Sequence, residues 1–171
     1  MSALTPLGIV HTAISIVAVG AGVIALLRER QISPANRVGQ VYLWATVLTC
    51  LTGFGIFQHG GFGKPHALGV LTLLLLALAW ALPRLGKVGA PRARLAAALW
   101  STTFFLHMIP GVTETFTRLP PDAPLFADAD DPALARVIGV LALVAVVLIV
   151  LQWRRGASAR LAAVGAAPLS E

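Results

Sequence analysis

The stretch Trp100–Pro120, WSTTFFLHMIPGVTETFTRLP, holds the residues best suited to chemistry. Trp100, Phe104, His107, Gly111, Glu114 and Arg118 recur at steps of three and four, so on a helix they share one face. An imidazole, a carboxylate and a guanidinium then stand in line towards one end of that helix. Imidazole is a common ligand of copper, zinc and iron and a proton relay near neutral pH. A guanidinium beside it can meet an anionic or carbonyl group. The other histidines are His11, His59 and His66.

These groups sit in a chain that is 57% hydrophobic and 12% charged, with mean hydropathy +0.84. Soluble domains carry about 25% charged residues, so so much aliphatic surface belongs in a lipid bilayer. That excludes a soluble hydrolase. A formal charge of +6 could suggest nucleic acid, but the basic residues lie between apolar runs, where they set membrane orientation. No nucleic-acid partner is expected. The single Cys50 can form no internal disulfide.

Five apolar runs, 5–27, 38–58, 66–83, 94–116 and 133–153, each come near the roughly 20 residues a helix needs to cross the hydrocarbon. The first lacks the basic start and the cleavage site of a signal peptide. The expected fold is all-α: five transmembrane helices, an up-down four-helix bundle with a peripheral fifth. Residues 154–171 are expected to be a disordered cytoplasmic tail. Ten of the 13 basic residues fall in the 28–37 and 84–94 connections and the tail. The acidic, proline-rich 119–132 loop lies on the other side. The expected placement is therefore the bacterial inner (plasma) membrane, amino end outside and carboxyl end in the cytoplasm.

Small and polar stripes mark the packing faces. Helix 1 carries Gly8, His11, Ser15, Ala18 and Gly22; helix 2 carries Gly39, Tyr42, Thr46, Thr49 and Gly53; helix 3 opens with Pro65, His66, Gly69 and Thr72. Pro110 removes a backbone donor inside helix 4 and predicts a kink beside His107. Asp131 and Pro132 read as the cap and first turn of helix 5. All four histidines fall in the outer half of the membrane. His11 and His107 lie at matched depth, about 10 Å inside, and within reach of each other if helices 1 and 4 are neighbours.

Each of these residues also has a plainer reading. His59 and His66 flank the glycine-rich HGGFGKPH turn and can simply be solvated. Glu114 and Arg118 can be a helix-end ion pair. His11 and His107 can be neutral imidazoles bonded to hydroxyls such as Ser15 or Thr103. The DADD run has calcium-binding atoms without the spacing of a calcium loop.

The segment NRVGQVYLWATVLTCLTG resembles the second helix of a group of small bacterial predicted membrane proteins of unknown function, which read His-Arg-x-x-Gly-x-x-Tyr there. VHTAISIVAVGAGVIALL, KPHALGVLTL and the Glu-x-x-x-Arg-Leu-Pro ending are similar to other parts of the group, over residues 5 to about 120. The resemblance implies that His11, Arg37, Gly39, Tyr42, His66, Glu114 and Arg118 are group positions. Asn36 stands where the group has histidine, and no histidine opens helix 4 around Arg92–Arg94. The resemblance supports fold and topology and transfers no activity.

The favoured expectation is a cofactor, haem b or a transition metal ion, held by His11 and His107 with His66 and His59. A ligand pocket of Tyr42, Trp100, Phe104, Glu114 and Arg118 would take a quinone, lipid or other small ligand. The alternative is a non-catalytic assembly subunit whose acidic outer loop, 119–132, docks a protein partner.

Overall fold

The computed structural model describes residues 5–57, 61–85 and 89–165. They form five helices: α1 Pro6–Glu29, α2 Arg37–Gly53, α3 Lys64–Ala81, α4 Ala90–Phe116 and α5 Pro132–Gly165, with a 3-10 turn at Leu82–Arg84. No strand occurs among the described residues. Four helices, all but α2, are long and apolar enough to cross a membrane. This is an all-α, multi-pass membrane protein.

Short polar side chains start the helices where expected. Thr5 Oγ1 accepts from the Gly8 N–H at 3.1 Å, and Asp131 Oδ1 accepts from the Ala133 N–H at 2.7 Å. Asn36 Oδ1 accepts from the Gly39 N–H at 2.8 Å. Asn36 is thus a good helix cap.

Two boundaries differ from the apolar runs. α2 ends at Gly53 rather than near residue 58, and its 17 residues span only about 26 Å. Gly53 and Gly55 flank a turn in which the Phe54 N–H returns to the Cys50 carbonyl. The sequence stays apolar beyond it because Phe54 and Phe57 pack on His66. At the other end, α5 continues past Arg154 to Gly165, where disorder was expected. The alanines and arginines there are strong helix formers.

Each helix packs on the next, and α1 meets α4 in a smaller contact that closes the bundle. The closure needs Gly22, where a Cβ would overlap the Phe104 ring. α4 is central and α5 peripheral: 33% of the most apolar stretch of α4 is buried, against 6% for α5. Ala25, Ile32, Tyr42, Leu76, Ala79 and Trp100 form the main buried cluster. The exposed Val and Leu faces of α1, α3 and α5 suit lipid.

The alternating path collects charge at two ends. Arg28, Arg30, Arg37, Arg84, Arg92, Arg94, Arg154 and Arg155 lie at one, and the acidic 119–132 loop at the other. At the basic end a polar chain ties three elements: Ser101 Oγ donates to Gln152 Oε1 at 2.9 Å, and Gln152 Nε2 donates to the Arg30 carbonyl at 3.0 Å.

Candidate functional site

His11 is placed by the small-residue face of α1, which lets α2 approach until the imidazole lies against Gly53. Its Nδ1 is 3.0 Å from Thr52 Oγ1. The Thr52 hydroxyl has one proton, which goes back to the Leu48 carbonyl at 2.8 Å. With that proton kept on its own helix, Thr52 Oγ1 accepts and His11 Nδ1–H donates, one of the two tautomers the contact admits. In that tautomer the lone pair is on Nε2.

His107 comes from the other side of the contact. It is buried, and its ring lies against the main chain of Ser15 on α1. The two imidazoles are close enough to act on each other electrostatically, and Glu114 acts on His11. Rings from α1 and α4 thus lie on the same side of the bundle's midpoint, in its acidic half, and His11 is oriented by its contact with α2.

The hydroxyl partners differ from those expected. Ser15 Oγ donates to the His11 carbonyl at 2.8 Å, and Thr103 Oγ1 donates to the Trp100 carbonyl at 2.8 Å. Because the Thr103 proton is used there, Tyr42 O–H donates to Thr103 Oγ1, at 2.9 Å. Thr52 was missed as the histidine partner. It stands beside the Gly53 of the helix-2 stripe, but only the register of α1 on α2 selects it.

His66 does other work. It is buried between Phe57 and Phe62, with ring centroids 5.0 and 5.2 Å away, and stacks on Phe54 at 6.5 Å. Its Nδ1 accepts from the Gly63 N–H at 3.2 Å, which closes the first turn of α3. Nε2 finds no hydrogen-bond partner among the described residues. His59 lies outside the described residues.

The proposed pocket residues divide. Tyr42, Trp100 and Phe104 pack together, with both neighbouring rings 6.2 Å from Tyr42. Glu114 is about 21 Å along α4 from Trp100. There it pairs with Arg118 at 2.6 Å, near the exposed end of the helix. The aromatic group is therefore core, and the Glu114–Arg118 pair is a separate feature of the acidic end.

In the acidic loop, Asp130 pairs with Lys64 at 2.8 Å, Asp131 caps α5, and Asp128 Oδ1 accepts from the Asp130 N–H at 2.8 Å. Phe126 packs edge-on to Phe116 and returns its N–H to the Phe116 carbonyl at 3.1 Å. Much of this loop is thus occupied with its own chain.

Among the described residues no three of His, Cys, Asp and Glu converge as a metal-ion set. A closed tetrahedral site built from protein ligands does not fit. No protein-family model, curated protein or solved structure matches this chain.

Proposed function

We propose that this membrane protein holds a redox cofactor through His11 and His107 in the outer half of the bilayer. The observation that carries the reading is the setting of the two rings, His11 Nδ1 on Thr52 and His107 buried against α1. Histidines that ligate a metal typically give their other N–H to a carbonyl or similar acceptor, which fixes the tautomer and aims the lone pair. His11 is placed to do this through Thr52, and the His107 ring lies against the Ser15 main chain. Two imidazoles, with no third ligand among the described residues, suit haem b, whose tetrapyrrole supplies the other four donors, or a two-coordinate cuprous ion. Either group would supply one-electron transfer. Ionisable residues within a bilayer are costly, and a functional role is the usual reason they are there.

The test is the absorbance and metal content of the full chain purified from its membrane, followed by addition of hemin or cuprous ion to cofactor-free protein. A Soret band or one equivalent of copper, lost in both His11→Ala and His107→Ala, is the expected result. Colourless, metal-free protein that takes up neither probe would overturn the reading. An assembly subunit would then remain, with the imidazoles serving as contacts between helices.

A further inference from the structure

The basic end of the bundle carries a cavity unrelated to the histidines. It has a volume of about 470 Å³ and lies under the 31–35 loop, between the end of α3 and the start of α4. Binding pockets for small molecules run from about 300 to 1,000 Å³. The space exists because the helices meet through Ala79, Ala93, Ala96 and Ala97. Its inner wall is apolar and reaches the core at Ile32 and Trp100, both buried.

Its rim is cationic. Arg84 lines the cavity, with its guanidinium 3.8 Å over the Trp80 ring and one N–H given to the Trp80 carbonyl. Guanidinium carries five N–H donors, so most of the fork is left for another acceptor. Arg92 stands one residue before Ala93 and donates to the Leu85 carbonyl at the same rim. Glu29 is the only acidic residue at this end among the described residues. Trp80 and Trp153, both exposed, are the residue type that settles at a membrane–water boundary. An apolar slot under a guanidinium at that depth matches a molecule with a phosphate above hydrocarbon.

We propose that this cavity binds an anionic phospholipid of the adjoining leaflet, its phosphate on Arg84 and the upper part of an acyl chain along the alanine-lined wall. Clusters of basic residues at a bilayer surface attract anionic lipid in any case. The cavity adds a place for one lipid in particular. This inference does not depend on any cofactor at His11 and His107.

Native mass spectrometry of the full chain in mild detergent tests it, with phosphatidylglycerol, phosphatidylethanolamine and soluble glycerol phosphate as probes. One phosphatidylglycerol should stay bound in preference to phosphatidylethanolamine. Arg84→Gln should weaken it about tenfold or more, the loss expected for a charged hydrogen bond. Ala93→Trp, at an exposed first-turn position that lines the cavity, should displace the lipid while the protein stays folded. Arg155→Gln, outside the cavity, should change little. Equal retention of the two lipids, equal weakening by Arg155→Gln, lipid retained by Ala93→Trp, or competition by glycerol phosphate would each overturn the proposal. If Arg84→Gln does not fold, Ala93→Trp and the lipid comparison still decide.

Discussion

Thr52 and Thr103 each have a single hydroxyl proton, and in both it returns to the residue's own helix. That leaves each oxygen as an acceptor for a group from elsewhere, His11 in one case and Tyr42 in the other. Tyr42→Phe should therefore remove one interhelical bond, worth about 0.6 kcal/mol in a membrane protein. Tyr42→Ala should cost about 3–5 kcal/mol, because a fully buried ring is lost. Unfolding of both variants in denaturing detergent measures the difference; equal losses would mean the hydroxyl carries the ring. Thr52→Val keeps the shape and removes the acceptor for His11 Nδ1–H. If His11 is a ligand, cofactor affinity should fall about 10–100-fold, as for other outer-shell partners. Titration of cofactor-free protein with hemin or cuprous ion reads that number, and an unchanged affinity counts against the orienting role of Thr52.

Among the elements, α4 is the one the others are fitted to, and its approach to α1 depends on a missing side chain. Gly22→Leu should push Phe104 aside, part the two helices, and abolish cofactor retention along with stability. Gly39 is constrained by a different neighbour. A Cβ there would run into the Ser33 carbonyl of the loop folded over the first turn of α2. Gly39→Ala should cost about 1–3 kcal/mol, the usual range for overpacking, with circular dichroism against temperature as the readout. The Lys64–Asp130 pair joins α3 to the acidic loop but is exposed. The hydrogen bond and charge of Lys64 hold the Asp130 carboxyl below the usual carboxylate range. Any stability it adds is present above that range and disappears as pH falls through the lowered value. Salt screens such a pair, so Asp130→Asn should leave the thermal midpoint at neutral pH nearly unchanged.

For the whole molecule, the separation of charge between the two ends predicts topology. With the arginine end in the cytoplasm, a membrane-impermeant maleimide should label Ala123→Cys from outside intact cells and not Ser33→Cys. Native Cys50 is buried and should stay unlabelled in both. The reverse pattern would put His11 and His107 in the inner half and remove the outward-facing site.

The apolar runs, the caps and the charge of the connections are local properties, and the amino-acid order alone determined them. Helix number, the peripheral position of α5 and the role of Asp131 were legible for that reason. So were the packing faces of α1 and α2, because small residues at steps of three and four mark where backbones can approach. The extent of α2 was not, since Phe54 and Phe57 look like more helix until His66 is seen packed on them. His66 itself reads as a surface histidine until the three rings close around it. What only the tertiary structure decided is pairing across helices. A single residue of register between α1 and α2 decides whether His11 meets Thr52 or lipid. Hydropathy is blind to that choice, because each alternative buries nearly the same apolar surface.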